Sequence, residues 1–263
     1  MATLDKEDYA LHLPDNPGDG LDQDQEWIEI ETDGERRRIR LHDYAEIYKV
    51  PGLYEQLFSE SLDCDSPQVI CALLGEQLDE AGVDPDRLTV LDFGAGNGLV
   101  GEQLAELGVG EIVGVDLLEE ARDAARRDRP EVYEDYYALD LTELEPDQRD
   151  DLCDHDFNAL SCVAALGFGD VPPVAFAEAF NFVASPGWLA FNLRDRFFEE
   201  QDTSGFGGFI RRMFKEGVLE ECSRVRYRHR VSVDGEPLHY IAVVARKHDD
   251  VPMEWAQAAS ASG

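Results

Sequence analysis

Residues 89–101 read Thr-Val-Leu-Asp-Phe-Gly-Ala-Gly-Asn-Gly-Leu-Val-Gly, and this stretch decides the fold. A short apolar run ends in Asp92, glycines alternate at Gly94, Gly96 and Gly98, and an amphipathic pattern begins directly after them. That order predicts a strand, a tight turn and a helix. Glycine tolerates positive φ and lets a ligand approach the backbone, while the first turn of a helix offers unpaired N–H groups. The stretch therefore predicts a loop that holds a nucleotide-like molecule.

Strands and helices alternate along the chain from residue 88 onwards. Runs of apolar residues predict strands at 88–93, 111–116, 132–139, 157–163 and 187–193. Apolar residues with a helical period predict helices near 99–107, 118–128, 173–184 and 206–217. This alternation predicts an α/β fold in which a mostly parallel, Rossmann-like sheet has helices on both faces.

Two further β-rich runs, 219–233 and 238–246, follow the predicted parallel strands. Asp234-Gly235 lies between them and is typical of a tight turn, so a C-terminal antiparallel hairpin is predicted. Arginines alternate along the first run, which places them on one strand face. We expect this row to neutralise nearby carboxylates, with binding of an anionic partner as the alternative; its members are Arg224, Arg226, Arg228 and Arg230.

The sequence divides into four segments. They are a flexible acidic tail at 1–25, an N-terminal hairpin and helical extension at 26–86, a ligand-binding domain at 87–248 and a C-terminal tail at 249–263. In the extension, Asp33-Gly34 separates two alternating runs and predicts a hairpin. The helical patterns that follow are interrupted at Pro51-Gly52 and Pro67. We expect this extension to shape the binding site.

The chain is strongly acidic. Its 263 residues include 57 Asp and Glu against 23 Lys and Arg, which gives a formal net charge of −34, and only four of the cations are lysines. Acids dispersed along the whole chain favour adaptation to a salt-rich cytoplasm, because salt screens their mutual repulsion. An acidic surface for a basic partner is the alternative. In both cases, binding to a nucleic-acid backbone is disfavoured.

Other features of the composition bear on location and metal binding. No run of about 18 apolar residues occurs, so no membrane helix is predicted. The N-terminus lacks the pattern of a signal peptide, which favours the cytoplasm. The five cysteines include no C-x-x-C pair, so neither a metal site nor a disulfide framework is expected. No pattern specifies an oligomeric state.

The glycine-rich turn fits two kinds of cofactor. Gly96, Gly98 and Gly101 satisfy the G-x-G-x-x-G pattern of dinucleotide-binding loops, and Asp116 follows at the usual distance. Against a dinucleotide stands Asp92, whose carboxylate would crowd a pyrophosphate but suits a ligand with an ammonium group. A sheet that closes with a hairpin is also unlike the usual six-stranded dinucleotide arrangement. A dinucleotide-dependent oxidoreductase is therefore the less favoured alternative.

Five segments in order resemble the motifs of class I S-adenosylmethionine-dependent methyltransferases, over about residues 88–246. They are Val90 to Gly98, Ile112 to Asp116, Asp140-Leu141, Phe157 to Cys162 and Pro186 to Phe191. In the fifth segment, Trp188 stands where the family has a second glycine. The resemblance implies S-adenosylmethionine as the cofactor, and transfer of its methyl group to an acceptor as the activity.

The resemblance also implies a role for the motif residues. Asp92 is expected to position the ammonium group of the cofactor's methionine, and Asp116 to accept hydrogen bonds from both ribose hydroxyls. Asp140 is expected to accept from the adenine amino group, with the N–H of Leu141 facing the ring. The implied cofactor contacts are Asp92, Gly94, Ala95, Gly96, Asn97, Gly98, Asp116, Leu117, Asp140, Leu141, Ser161 and Cys162.

Each role has an alternative in packing or capping. Asp116 can simply end a strand, and Asp140 can cap the short helix-like stretch that follows it. Asp92 can be a structural carboxylate that bonds N–H groups of the loop. Ser161 or Cys162 is expected beside the sulfonium, and the alternative for Cys162 is a small apolar group in the core.

The acceptor is expected to be a small molecule. Residues 161–169 read Ser-Cys-Val-Ala-Ala-Leu-Gly-Phe-Gly, instead of the Asn/Asp-Pro-Pro-Tyr/Phe run of enzymes that methylate amino groups of DNA bases or glutamine. We expect Tyr44, Tyr48 and Tyr54, together with the loop after the fifth strand, to roof the acceptor site. Packing of these tyrosines on the sheet is the alternative.

Three residues are candidates for a catalytic role. They are Tyr44 in the roof, His155 as a general base and Arg194 as the partner of an acidic group on the acceptor. For His155 a solvated loop position is the alternative, and for Arg194 it is a surface ion pair. A catalytically silent cofactor-binding scaffold is the remaining hypothesis for the chain.

Overall fold

The protein contains a sheet of three strands and a sheet of seven. The computed structural model describes residues 9–14, 23–166, 171–198 and 205–261. The strands are β1 (Ala10–His12), β2 (Trp27–Thr32), β3 (Glu35–Arg40), β4 (Thr89–Phe93), β5 (Glu111–Asp116), β6 (Asp135–Ala138), β7 (Ala159–Cys162), β8 (Gly187–Arg194), β9 (Leu219–Val231) and β10 (Pro237–Lys247). The helices are α1 (Tyr44–Tyr48), a π-helix (Glu55–Ser61), α2 (Ser66–Ala81), α3 (Leu99–Leu107), α4 (Glu119–Asp128), α5 (Pro146–Cys153), α6 (Pro173–Phe182), α7 (Phe206–Lys215) and α8 (Met253–Ser260).

The larger sheet has the strand order β6-β5-β4-β7-β8-β10-β9. Its first five strands are parallel, whereas β10 lies antiparallel to both β8 and β9. From β4 the chain winds outward through β5 and β6, and then returns to the other side of β4 for β7 and β8. The predicted fold, including the C-terminal hairpin, is confirmed. The strand order of the large sheet reverses direction between β4 and β7. Where the order reverses in this way, open α/β sheets bind ligands at the carboxyl ends of the strands.

Alternate residues of the central strand β4 enter two different cores. Leu91 belongs to the same core as Phe176 of α6, whereas Val90 belongs to the same core as Leu74 of α2. Burial on both faces is expected of a central parallel strand, and it explains why the run is continuously apolar. α2 therefore covers one face of the large sheet, although it lies within the predicted extension 26–86.

The smaller sheet lies in the N-terminal extension and has its own core. β2 pairs with both β1 and β3 in antiparallel fashion. Ile28 of β2 and Ile39 of β3 are buried together with Leu57 of the π-helix. Asp33 and Gly34 both have positive φ, which is the backbone that the predicted hairpin turn requires. The extension thus holds the π-helix and α1 in place beside the large sheet.

The structure corrects the prediction of a flexible tail over residues 1–25. Residues Ala10–His12 form β1, in which Leu11 lies opposite Ile30 of β2 and packs against the small core. A three-residue strand carries too little periodicity to be recognised, and its stability depends on a partner far along the chain. Residues 1–8 and 15–22 of the predicted tail lie outside the described residues.

Two helices were missed for similar reasons. α8 lies in the segment predicted as a C-terminal tail, with Ala256 buried where the helix packs against α6 and α7. Its buried face is made of alanines, which carry little hydrophobic signal. In α5, Leu152 is the buried residue and acids dominate the rest, so no apolar stripe marks the helix. No helix among the described residues is long and apolar enough to span a bilayer.

Candidate active site

The turn after β4 is held by the neighbouring strand. The N–H groups of Gly94 and Ala95 donate to the carbonyl oxygen of Val115 at 2.8 and 3.2 Å. Gly94, Gly96 and Gly98 have φ of 74°, 56° and 90°. Residues with a Cβ rarely adopt such angles, which explains the alternating glycines. The turn therefore presents bare backbone at the carboxyl end of the sheet.

Asp116 ties the end of β5 to the glycine turn. Its Oδ2 accepts from the Gly96 N–H at 2.9 Å, and its Oδ1 accepts from the Leu118 N–H at 3.0 Å. Burial raises the pKa of the carboxyl group, and the backbone donors lower it in part. Two oxygens have about four acceptor sites, so the carboxylate keeps capacity for further donors. Beside it, Leu117 is 60% exposed, an unusual degree for a leucine next to a cavity.

A cavity of about 580 Å³ opens over this end of the sheet. Gly94, Asp116, Leu117, Asp140 and Leu141 form one wall, as expected for cofactor contacts. The opposite wall comes from α1 and from the start of α6. A volume of this size is typical of sites for small molecules and cofactors.

Aromatic side chains of the extension line the cavity, and their role in covering an acceptor stays a prediction. Tyr44 stacks on Tyr48 with ring centroids 6.1 Å apart, and Tyr48 stacks on Tyr54 at 5.3 Å. All three tyrosines line the cavity. Burial raises the pKa of Tyr48 and Tyr54 well above the ordinary value, so both phenols stay protonated. We call Tyr44, Tyr48 and Tyr54 the tyrosine roof.

Tyr48 also closes on the glycine turn. A Cβ at Gly96 would lie 2.5 Å from the Tyr48 hydroxyl oxygen. A second cavity of about 50 Å³ is lined by Gly96 and Asn97 of the turn, by Ser59 of the π-helix and by Tyr48. Tyr48 thus lines both the larger and the smaller cavity.

Asp92 lies beneath the turn and is 1% exposed. Ser161 Oγ donates to its Oδ1 at 2.6 Å, and the Tyr133 hydroxyl donates to its Oδ2 at 2.8 Å. Burial raises the pKa of Asp92 to about 6, although both hydroxyls act in the opposite direction. The Asp92 carboxylate therefore accepts hydrogen bonds from side-chain hydroxyls. Among the described residues, it neither bonds the N–H groups of the loop, which was its alternative role, nor lines the cavity. Its implied contact with the cofactor ammonium stays a prediction.

At the end of β7, the fourth parallel strand along the chain, the residues that line the cavity come later in the sequence than predicted. Ser161 and Cys162 are buried in the sheet and do not line the cavity, whereas Val163, Ala164 and Ala165 do. Burial raises the pKa of the Cys162 thiol well above its usual value. Cys162 belongs to the core, which was its alternative role. The residues that follow, 167–170, lie outside the described part of the chain.

Asp140 bonds the residue two positions after it, and its contact with adenine stays a prediction. Its Oδ1 accepts from the N–H of Thr142 at 2.8 Å and from the Thr142 hydroxyl at 2.7 Å, which closes a turn; no helix begins there. The residue also lines the cavity together with Leu141. The two bonds to Thr142 hold the carboxylate on the cavity wall.

Asn97 and Gly98 contact protein groups in the described structure. Asn97 Nδ2 donates to Glu55 Oε1 at 2.7 Å, and Arg129 donates to both Glu55 Oε1 and the Asn97 carbonyl. A Cβ at Gly98 would lie 3.0 Å from the ring of Tyr133. Glu55 and Arg129 were missed by sequence reasoning, because their contact joins segments 74 residues apart. They fasten the π-helix to the glycine turn.

The prediction that His155 acts as a base in the site is wrong. Its Nδ1 lies 2.9 Å from Glu111 Oε1, and its Nε2 lies 3.1 Å from the Tyr137 hydroxyl. Glu111 is the first residue of β5, so His155 lies at the amino end of the sheet, away from the cavity. Arg194 ends β8 and is also absent from the cavity lining in the described residues.

The arginine row of β9 faces carboxylates, as expected. Each of its four members makes an ion pair, and for Arg230 the pair with Glu26 is buried. The pairs are Arg224 with Glu221, Arg226 with Asp195, Arg228 with Asp63 and Arg230 with Glu26. Arg226 and Arg228 thereby join the hairpin to other parts of the chain.

The sequence of the site matches a known domain. Residues 91–191, which run from β4 into β8, match the family model of a methyltransferase domain. This segment is a methyltransferase domain. S-adenosylmethionine, which the sequence motifs imply, stays the predicted methyl donor. No curated protein matches the chain in sequence.

The methyltransferase is also similar to solved structures at low identity. A S-adenosylmethionine-dependent methyltransferase from Clostridium acetobutylicum ATCC 824 shares 14% identity, over 75% of this chain and 97% of that chain, with a TM-score of 0.49. A magnesium protoporphyrin IX methyltransferase from Synechocystis PCC 6803, with bound S-adenosylmethionine, shares 14% identity over 69% of this chain and 79% of that chain, with a TM-score of 0.46. Likeness at this level carries no information on the acceptor.

The residues of the cavity fit the methyl donor. Asp116 offers acceptor sites for a ribose diol, and the exposed Leu117 offers an apolar surface for a base. Asp140 and Leu141 lie on the same wall. The glycine turn provides backbone that no Cβ covers, next to the smaller cavity. The residues that would hold the cofactor are therefore Asp116, Leu117, Asp140 and Leu141 of the larger cavity and the backbone of the glycine turn.

Proposed function

We propose that the enzyme transfers the methyl group of S-adenosylmethionine to a small molecule bound beneath the tyrosine roof. The observation that carries this proposal is the cavity of about 580 Å³, which the extension covers above the proposed cofactor wall. A cavity of this size, partly covered by the extension, suits a compact acceptor better than a polymer, which needs a long open groove. The roof also limits access of water to the acceptor.

The chain's part in the reaction is to bind and to orient. The cofactor supplies an electrophilic methyl group on its sulfonium. Asp116 and Asp140 hold the cofactor by accepting hydrogen bonds, and the roof tyrosines orient the acceptor. Because Tyr48 and Tyr54 stay protonated, their hydroxyls donate to an oxygen or nitrogen of the acceptor. In-line placement of this kind is the main requirement of methyl transfer from a sulfonium.

The acceptor carries no anionic group in this proposal. Among the described residues, the cavity is lined by the carboxylates of Asp43, Glu46, Asp116 and Asp140 and by the imidazole of His42, and neither lysine nor arginine lines it. The segments 167–170 and 199–204 contain no lysine or arginine in the sequence. An anion would lose its hydration and meet four carboxylates with no lysine or arginine among them. This charge pattern replaces the idea that Arg194 holds an acidic acceptor.

A methyl-transfer assay with matched acceptors tests the proposal. Tyramine and 4-hydroxyphenylacetate share a phenol ring and differ in the charge of their side chain, so we expect any labelled methyl transfer to favour the amine. The wider screen uses neutral and cationic phenols, amines and heterocycles, with Asp116→Ala as the inactive control. Transfer only to protein or RNA, with no small acceptor methylated, contradicts the proposal.

We also propose that the protein works in a salt-rich cytoplasm. A formal net charge of −34 on 263 residues implies strong self-repulsion unless salt screens it. The melting temperature is therefore expected to rise as KCl increases from millimolar to molar concentration. A melting temperature that falls or stays constant over that range contradicts salt adaptation.

A further inference from the structure

The loop that follows β7 has a strained backbone at the edge of the site. Ala164 has φ of 58°, a left-handed conformation that costs free energy for a residue with a Cβ. Val163, Ala164 and Ala165 line the larger cavity, and the first two also line the smaller one. Ala165 also lies close to the glycine turn, because a Cβ at Gly94 would be 2.9 Å from the Cβ of Ala165. We call Val163, Ala164 and Ala165 the floor loop.

One buried side chain holds the strained residue. Asn192 of β8 is 0% exposed, and its Oδ1 accepts from the N–H of Ala164 at 2.7 Å. A strained backbone persists only where its surroundings hold it in place. Here the hydrogen bond from the Ala164 N–H to Asn192 provides that support. Asn192 makes no contact with the cavity itself in the described residues. Its effect on the site therefore passes through Ala164.

The amide of Asn192 is itself oriented by a chain of hydroxyls. Asn192 Nδ2 donates to the Tyr227 hydroxyl at 2.6 Å, which lies 2.6 Å from Ser66 Oγ. Ser66 Oγ in turn lies 2.6 Å from Nδ1 of His229. Burial lowers the pKa of His229 to about 3, so its ring is neutral and Nδ1 can accept. Protons can then point in one direction along the whole chain, from the Asn192 amide to the imidazole.

This chain joins the floor loop to the segment that carries the roof. Ser66 is the first residue of α2, and it follows the π-helix in sequence. Phe58 of that helix packs on Tyr54 of the roof, with ring centroids 4.6 Å apart. Tyr227 comes from β9 of the C-terminal hairpin. The buried amide of Asn192 therefore bonds the floor loop directly and is linked through Tyr227 to the start of α2.

We propose that Asn192 is a positioning residue for methyl transfer: it fixes the left-handed turn at Ala164 and so sets the floor loop against the glycine turn and the roof. The role requires an oxygen that accepts from the Ala164 N–H and a donor toward Tyr227. It does not depend on the identity of the acceptor, because the floor loop borders the cofactor wall as well.

Calorimetric titration of the full chain with S-adenosylhomocysteine tests this role. We expect Asn192→Leu to weaken binding about tenfold, because the Ala164 N–H loses its partner and the turn relaxes. Asn192→Asp is expected to stay within about threefold of the wild type, because a protonated carboxyl group can both accept and donate. Tyr227→Phe keeps the Asn192 oxygen that accepts from Ala164 but removes the hydroxyl to which the Asn192 amide donates. Its affinity is expected to lie between those of the two Asn192 variants.

A matched control separates positioning from general destabilisation. Asn158 accepts from the N–H of Thr89 at the opposite end of the same sheet, as Asn192 accepts from that of Ala164, and it donates to the Arg87 carbonyl instead of a side chain. Asn158→Leu is expected to lower the melting temperature without changing the affinity for S-adenosylhomocysteine. Adding Ala164→Gly to Asn192→Leu is expected to recover part of the lost affinity, since glycine adopts the turn without strain.

These results decide the proposal in either direction. Wild-type affinity in Asn192→Leu, or equal losses in Asn192→Leu and Asn158→Leu, overturns it. If Asn192→Leu does not fold, the other two variants decide. Wild-type affinity for S-adenosylhomocysteine in Tyr227→Phe overturns the proposal, and so does a tenfold loss in Asn192→Asp. Loss in Asn192→Leu with recovery by Ala164→Gly supports it.

Discussion

The two ends of the parallel strands carry similar polar residues and differ in what those residues face. At the carboxyl ends, Asp116 and the glycine turn border a cavity of about 580 Å³. At the amino ends, His155 contacts Glu111 and Tyr137, and Asn158 bonds two backbone groups beside β4. Polar groups at the amino ends satisfy one another, whereas those at the carboxyl ends retain capacity for a ligand.

The backbone makes this difference. After β4, positive φ at Gly94, Gly96 and Gly98 turns the chain away from the sheet before α3 begins, which leaves space above the strand ends. In parallel α/β sheets, helices begin near the carboxyl ends, so their free N–H groups face that same space. In this sheet, a charged side chain at a strand end therefore borders the candidate site only where a glycine turn of this kind lies beside it.

Loss of the Asp116 carboxylate gives the largest expected effect. We expect Asp116→Ala to weaken S-adenosylhomocysteine binding about 100-fold, which is about 3 kcal/mol, because both the ribose acceptor and the bond to the Gly96 N–H are removed. Calorimetry measures the change. Asp116→Asn, which keeps one acceptor oxygen, is expected to lose less. Unchanged affinity in Asp116→Ala contradicts the assignment of this wall to the cofactor.

A methyl group in the glycine turn is expected to have the next largest effect. Gly96→Ala places a Cβ 2.5 Å from the Tyr48 hydroxyl in a left-handed backbone, so we expect about a tenfold loss of affinity for S-adenosylhomocysteine. Gly108 provides the control, because it has φ of 91° at the end of α3 and open space around it. Gly108→Ala is expected to reduce stability alone; equal losses of affinity in both variants would show that the turn has no special role.

Asp92 is expected to give stability a pH dependence. Its pKa is raised from 3.8 to about 6 in the folded protein, so the folded state holds this proton more tightly than the unfolded chain does. The stabilisation is present below about pH 4 and is lost as the pH rises through about 6. Between pH 5 and pH 7, the free energy of unfolding of the wild type should fall by about 1 kcal/mol relative to Asp92→Asn. Chemical denaturation at constant salt measures this difference, and a constant difference contradicts the pKa.

The smallest effect is expected at the amino ends. His155→Ala removes a contact with Glu111 that lies far from the cavity, so affinity for S-adenosylhomocysteine and methyl transfer should change by less than about threefold. Steady-state assays with any acceptor found by the screen measure it. A large fall in kcat with unchanged stability would restore a catalytic role to His155 and remove the contrast between the two ends.

The sequence was sufficient for the features that depend on neighbours in the chain. The glycine turn, the carboxylate that ends β5 and the alternation of strands and helices all follow from local patterns. The position of His155 could also have been inferred. The residue precedes the predicted strand 157–163, and the residue before a parallel strand lies at the amino end.

The remaining features depend on partners that are distant in sequence. Glu55 and Arg129 meet across 74 residues, and Asn192 reaches Ala164 across 28. The side chains that line the cavity after β7 begin at Val163 because the left-handed turn at Ala164 redirects the chain, and alanine gives no sign of such a turn in the sequence. Tertiary contacts, rather than propensity, determine these positions.

The central claim is that the carboxyl-end cavity binds S-adenosylmethionine. Calorimetric titration of the wild-type chain in molar KCl with S-adenosylmethionine, S-adenosylhomocysteine and NAD tests it most directly. We expect micromolar binding of the first two, with one site per chain, and no binding of NAD. Binding of NAD alone, or of none of the three, would contradict the claim.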